Sequence, residues 1–190
     1  MNIRRIILLI CFPFMVMPLK GQVNHVLNFG FAQYSSCNGI GGCAGSAVTN
    51  WYAPTINSLN WFSTCYGMGT AGVPQNLDGY QFARTGESYS NITFSEINHI
   101  RTYITGTFSD SLIATKKYCV TFYVSLGDSS WYAISGIGAH LSNDSICEPN
   151  SYDTVLHYTP QIENPSNNIL TDKIDWVPIS AEYTAGGGNL

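Results

Sequence analysis

The clearest pattern in the chain is a strict alternation of apolar and polar residues from Tyr118 to Leu126. One face of this segment carries Tyr118, Val120, Phe122, Val124 and Leu126, and the other carries Cys119, Thr121, Tyr123 and Ser125. A period of two in aromatic and β-branched residues predicts a half-buried strand. We expect Val120, Phe122 and Val124 to be buried with Ile179 and Tyr183 of a later strand. Thr121 and Ser125 should face outward or into a concave groove.

Other short runs show the same period and are separated by Gly, Pro, Asn and Asp. They predict strands at 26–31, 88–94, 100–108, 131–141, 155–162 and 176–184, with a turn at 127–130 and a helical turn at 95–101. Many short strands without a repeat or linker predict one all-β domain, a β-sandwich of jelly-roll type. Residues 34–79 form a long irregular region, and a region of this length needs something to pin it.

The first 21 residues have the pattern of a secretory signal peptide. Arg4 and Arg5 precede an apolar run from Ile6 to Met17, and a small residue, Gly21, offers a cleavage site. A transmembrane anchor is the rival interpretation, but a spanning helix needs about 20 apolar residues. A lipoprotein acylated at Cys11 is disfavoured because the apolar run continues past that residue. We therefore predict a signal peptide at 1–21 and a mature domain at 22–190, secreted or displayed on the outer cell surface.

Charge excludes two classes of partner. Without Arg4, Arg5 and Lys20, the mature chain keeps five basic residues against twelve acidic residues. Such a chain has no electrostatic footprint for nucleic acid or for an anionic membrane. Its solubility rests on neutral polar residues, a profile typical of extracellular β-proteins.

Five cysteines remain in the mature chain: Cys37, Cys43, Cys65, Cys119 and Cys147. They permit two disulfides and one thiol, and the spacing alone does not choose among the arrangements. No Cys-x-x-Cys pair occurs, and no His lies at zinc-finger spacing from a cysteine pair, so we predict no structural zinc site.

Several blocks of the sequence resemble a known family. They are Asn24 to Cys37, Gly72 to Ile92, Ser111 to Leu126 and Thr159 to Trp176. In this order they resemble the jelly-roll domain, similar to galactose-binding and carbohydrate-binding modules, at the N-terminus of surface proteins that gliding-type bacteria export by type IX secretion. The resemblance implies a Cys37–Cys65 disulfide, which would also pin the irregular region. Separately, Cys119 lies inside the predicted strand, and we expect it to be a buried thiol unless Cys147 reaches it.

The chain departs from the family pattern in ways that bear on structure. Ala32 stands where related domains have a calcium-binding Glu, so we predict no calcium at that site. Thr115 and Asn91 each replace a family Gly, and a positive φ would strain Thr115 more than Asn91. The sequence given stops before the family's closing strands, so either it is a fragment that further domains follow, or it leaves a sheet edge unpaired.

Motifs for chemistry are weak. Glu87 and Glu96 are the most tempting pair for glycoside hydrolysis, which needs two opposed carboxylates. The four histidines are scattered, and no nucleophile, metalloprotease or phosphate-binding motif occurs. We therefore predict no enzyme, with a glycan hydrolase as the remaining catalytic alternative.

Aromatic residues in loops give the better hypothesis, because sugar rings stack on Trp and Tyr while amides and carboxylates bind the hydroxyls. We predict a glycan-binding module without catalysis, or alternatively a passive adhesion or structural domain. The candidate ligand-binding residues are Trp131, Trp61, Trp51, Tyr80, Asn76, Gln81 and Asp128. Ser111, Ser145 and Thr154 resemble acceptors of bacterial O-glycosylation, and Asn91 and Asn143 fit the N-glycosylation pattern.

Overall fold

The computed structural model describes residues 22–55, 59–95, 100–148 and 155–186. Within these ranges the chain forms twelve β-strands and one 3-10 turn at Thr64–Tyr66, and no α-helix. The strands, β1 to β12 in chain order, are Trp51–Tyr52, Trp61–Ser63, Gln75–Asn76, Gly79–Tyr80, Ser88–Ser90, Phe94–Ser95, Ile100–Arg101, Thr105–Gly106, Lys117–Val124, Gly138–Ala139, Ile162–Glu163 and Val177–Thr184. The all-β prediction is confirmed.

The strands pair two by two, and all six of the described pairs are antiparallel. This arrangement is consistent with a β-sandwich, and the jelly-roll strand order stays a prediction. No helix in the described ranges is long and apolar enough to cross a membrane. The proposed signal peptide, 1–21, lies outside the described residues.

The longest element is an eight-residue ribbon of β9 and β12, in which Ile179 lies opposite Phe122 and Tyr183 opposite Tyr118. Ile179 and Tyr183 are buried in the larger apolar core, as the alternation predicts. The prediction that Val120, Phe122 and Val124 are buried was wrong, since all three are half-buried. They pack against the edge of this core from a ribbon only two strands wide.

The outer face of the ribbon is polar. Thr121 is exposed, and its hydroxyl lies 2.6 Å from the Ser180 hydroxyl across the ladder. Ser125 lies past the end of β9 and is half-buried, with its hydroxyl 3.4 Å from the Asp172 carbonyl oxygen. Cys119 occupies the outer face opposite Glu182 and is an exposed free thiol, so the prediction of a buried thiol was wrong. Its position in the alternation, between two inward residues, accounts for this.

A second core pins the irregular region. It contains Ile40, Val48, Ala53, Leu59 and Trp61. The Cys37–Cys65 disulfide is present, as the resemblance implied, and a second disulfide joins Cys43 to Cys147. The sequence predicted an irregular region at 34–79. The structure holds this region with the two disulfides and forms the short strands β1 and β2 within it. Two disulfides also indicate an oxidising compartment.

Several predicted strands are much shorter than expected. Only Gly138–Ala139 of 131–141 and Ile162 of 155–162 are in strands, and 26–31 contributes a single bridge from Val26 to Phe108. Gly136 interrupts the first of these runs, and glycine weakens a strand interior. The helical turn predicted at 95–101 is replaced at its described ends by the β6–β7 pair, and 96–99 lie outside the described residues.

The two positions that replace a family glycine behave differently. Thr115 has φ 65°, which confirms the left-handed backbone expected there. Asn91 does not have a positive φ, so its tolerance of the left-handed region is not used. Its amide instead donates to the Asp78 carboxylate.

Candidate functional site

Three loops meet beyond the Val124 end of the ribbon. They are residues 77–82 around β4, residues 127–132 after β9, and residues 172–176 before β12, and we call them together the three-loop surface. The Asp128 carboxylate accepts a hydrogen bond from the Tyr80 backbone N–H at 2.8 Å. The Ser129 N–H donates to the Asp78 carbonyl oxygen at 3.1 Å, and the predicted turn at 127–130 closes through a bond from Ser130 N–H to Gly127. These bonds join the first two loops.

The third loop is fixed to both of the others. The Lys173 ammonium donates to the carbonyl oxygens of Asp128 at 2.8 Å and Ser130 at 3.1 Å. The Gln81 amide donates to the Ile174 carbonyl oxygen at 3.2 Å, and the Trp176 indole N–H donates to Phe82 at 2.9 Å. Each loop is therefore hydrogen-bonded to the other two, which holds the surface in one arrangement.

One glycine is required for this arrangement. Gly79 has φ 133°, and a Cβ at this position would overlap the Asp128 carboxylate. Any other residue would strain the backbone and push Asp128 away from the Tyr80 N–H. The β4 hairpin can therefore approach the 127–130 turn only because position 79 has no side chain.

Large apolar side chains are exposed on this surface. Trp131 is 93% exposed, and the others are Leu77, Tyr80, Phe82, Tyr132 and Ile174. The rings of Tyr80 and Phe82 meet edge to face with centroids 5.5 Å apart. Exposed apolar side chains collected at one place are typical of a binding surface.

Four of the seven candidate residues lie on the three-loop surface. Tyr80, Asp128 and Trp131 are exposed there, and Gln81 is half-buried and braces the loops. Asn76 lies beside the surface but is buried, so its prediction as a ligand contact was wrong. Its amide donates to the Tyr89 hydroxyl at 2.6 Å and its carbonyl oxygen accepts from the Asp78 N–H at 3.0 Å.

The Tyr89 side chain is partly buried beside the three-loop surface, and this burial affects its pKa. Burial raises the pKa of Tyr89, and the nearby carboxylates of Asp78 and Asp128 raise it further, against the opposing hydrogen bond from Asn76. Tyr89 thus remains a neutral phenol to high pH and serves as a support beneath the loops.

Trp61 belongs to the second core, so its prediction as part of an exposed platform was wrong, whereas Trp51 packs against that core and its ligand-binding role stays a prediction. Trp61 is only 2% exposed and packs between Tyr34 and Tyr66, with ring centroids 5.0 and 5.7 Å away. Trp51 is half-buried, and its indole N–H donates to the Asn28 carbonyl oxygen at 2.8 Å. Its ring contacts Phe31 and the backbone of Gly106, away from the three-loop surface.

The catalytic and metal predictions are not tested by these contacts. Glu87 is exposed and accepts a hydrogen bond from the Thr64 hydroxyl at 2.8 Å, while Glu96 lies outside the described residues. Ala32 is exposed, and within the described ranges no three His, Cys, Asp or Glu side chains are grouped to hold a metal ion. The absence of a catalytic pair and of bound calcium therefore both stay predictions.

Sequence reasoning missed Phe82, Tyr132, Lys173, Ile174 and Trp176. Phe82 and Tyr132 adjoin candidate residues in the sequence, and this proximity was an available signal. The third loop gave no such signal, because it reaches the others only through contacts made in the folded chain.

Comparison with known proteins finds no matching family model, no matching curated protein and no matching solved structure.

Proposed function

We propose that this domain is a non-catalytic binding module of an exported or surface-displayed protein, and that its three-loop surface binds carbohydrate. The observation that carries the proposal is the position of Trp131, the side chain of which is almost fully in solvent on a loop held by hydrogen bonds. Burying a side chain of this size would stabilise the fold by about 2–3 kcal/mol. Its exposure indicates a role outside folding.

The chemistry around Trp131 suits a sugar. A pyranose presents C–H faces that stack on indole and phenol rings, and Trp131 and Tyr80 offer such rings. The exposed Asp128 carboxylate can accept hydrogen bonds from sugar hydroxyls. The low charge of the chain leaves neutral polar contacts as the main source of affinity.

The fixed arrangement of the loops also supports binding. Ordering a loop upon binding costs free energy, and a surface already held by the Lys173, Gln81 and Trp176 bonds avoids part of that cost. The surface is shallow and stacking contributes only about 0.5–1.5 kcal/mol per ring beyond area. We therefore expect weak binding of a single site, strengthened by avidity on polymeric glycans.

A glycan array probed with the oxidised protein tests the proposal, followed by calorimetry on each hit with Trp131→Ala. We expect the variant to bind about tenfold or more weakly. Its melting temperature should stay within about 2 °C of the parent, because substitutions at exposed positions change stability by only about 0.5 kcal/mol. Ile113→Ala is the matched control, since Ile113 is an exposed apolar residue near the opposite end of β9.

Two results would overturn the proposal. If no glycan on the array binds, the passive structural role gains the stronger case. If Trp131→Ala and the parent bind equally, the carbohydrate site lies elsewhere on the domain. Turnover of a bound glycan would point to the hydrolase alternative.

A further inference from the structure

The charged groups of the three-loop surface are not equivalent. Its ammonium group, that of Lys173, already donates to two backbone carbonyl oxygens. Beside the surface, the Arg84 guanidinium lies 3.3 Å from the centre of the Tyr123 ring. Both of these cations are therefore engaged within the protein.

The carboxylates differ in what they leave accessible. Asp172 is half-buried, and the N–H groups of Asp175 and Ile174 donate to its carboxylate and hold its pKa below the ordinary value. Asp78 is engaged by the Asn91 amide. Asp128 and Asp175 are exposed, and the hydrogen bond from the Tyr80 N–H uses one of the two Asp128 carboxylate oxygens.

Two aromatic residues of the three-loop surface are connected to Asp128 through the backbone. Asp128 is bonded to the backbone of Tyr80 on one loop and is three residues before Trp131 on its own. An ammonium group is attracted both to a carboxylate and to the face of an indole or phenol. The domain already makes such a cation–π contact internally, between Arg84 and Tyr123.

We propose, on the basis of the carbohydrate function above, that the three-loop surface selects glycans with free amino groups, of the glucosamine type. An ammonium on the sugar would pair with the Asp128 carboxylate while the ring stacks on Trp131 or Tyr80. N-acetylation removes the charge, and a sugar carboxylate would be repelled by Asp128 and Asp175. The order of affinity is therefore amino, then neutral or N-acetylated, then acidic glycans.

Four oligosaccharides with the same β-linked glucose backbone test this order: glucosamine, N-acetylglucosamine, glucose and glucuronic acid oligomers of equal length. Calorimetry at about pH 5.5 keeps the amines of the glucosamine oligomer protonated. We expect the glucosamine oligomer to bind about five- to tenfold more tightly than the N-acetylated one at low salt. This preference should shrink as salt rises to about 0.2 M, because exposed charges are screened.

Asp128→Asn separates charge from structure, since the amide oxygen of Asn can still accept the Tyr80 N–H. We expect this variant to lose the preference for amino sugars, so that the glucosamine and N-acetylglucosamine oligomers bind it equally. Asp110→Asn is the matched control for net charge, because Asp110 is exposed and lies near the opposite end of β9. It should keep the full preference.

The outcomes distinguish the two proposals. Equal binding of all four oligomers, tighter binding of the glucuronic acid oligomer, or an unchanged preference in Asp128→Asn would overturn the selectivity and leave carbohydrate binding standing. Binding of none of the four overturns the selectivity, and a blank glycan array then overturns the carbohydrate function as well.

Discussion

Replacing Thr115 by glycine should stabilise the domain. Thr115 has φ 65°, in the left-handed region, where its β-branched side chain crowds the backbone. Two hydrogen bonds hold this conformation. The Lys116 N–H donates to the Ile113 carbonyl oxygen at 3.1 Å within the turn, and the Thr115 N–H donates to the Ala185 carbonyl oxygen at 2.8 Å, just past the end of β12. Glycine adopts this φ without a steric penalty.

The magnitude follows from two opposing terms. A non-glycine residue in the left-handed region costs about 1–2 kcal/mol. Glycine adds conformational freedom to the unfolded chain, which costs about 0.5–1 kcal/mol. Because the Thr115 side chain is exposed, its removal loses no buried surface. The mid-range values of the two terms leave a net gain of about 0.75 kcal/mol, equivalent to a rise of about 1.5–3 °C in melting temperature for a domain of this size.

Thermal melting of the oxidised protein measures this rise, with urea denaturation as a second measurement of the free energy of unfolding. Thr115→Ala is the control, because alanine keeps the Cβ and therefore most of the strain. The reasoning fails if Thr115→Gly melts at or below the parent temperature. It fails equally if Thr115→Ala gains as much as the glycine variant.

Three further outcomes can be measured on the same protein. Replacing Cys43 and Cys147 by Ser should lower the free energy of unfolding by about 4.7 kcal/mol, about 1 kcal/mol more than loss of the shorter disulfide loop, since the closed loop spans 104 residues; an equal loss in urea melts would contradict this. Iodoacetamide should modify Cys119 in the folded protein without reductant, and a peptide map showing it unmodified would contradict its exposure. In a eukaryotic secretory host, Asn143 should carry N-glycan and Asn91 should not, because Asn143 is exposed while the Asn91 amide is bound to a carboxylate; glycopeptide mass spectrometry decides this.

The sequence predicted best where the signal was local. The alternation from Tyr118 to Leu126 encodes which side of β9 faces the core, and the buried positions Ile179 and Tyr183 of β12 followed from the same rule. The prediction of a strand over 131–141 was wrong at its start, because the aromatic residues there do not form the buried face of a strand. Trp131 and Tyr132 are exposed, so their hydrophobicity reflects a surface and not a strand.

The candidate site was predictable only in part. Trp61 and Trp131 both lie near loop signals in the sequence, yet one is a core residue and the other is in solvent. Nothing within a few residues of either distinguishes them, because burial depends on chain segments far away in the sequence. The bond from Gln81 to Ile174 spans 93 residues, and only the folded chain brings these partners together.

The pairing of β9 with β12 has a consequence for the order in which the domain can form. Each strand must find a partner about 53 to 67 residues away, and pairings of this separation close slowly. The second core has all of its buried residues between Cys37 and Cys65, and it can collapse before the later strands are available. The larger core must wait for β12. Until β12 pairs with β9, the apolar face of β9 is uncovered. A chain that has been made past Val124 but not yet past Val177 is therefore prone to aggregate.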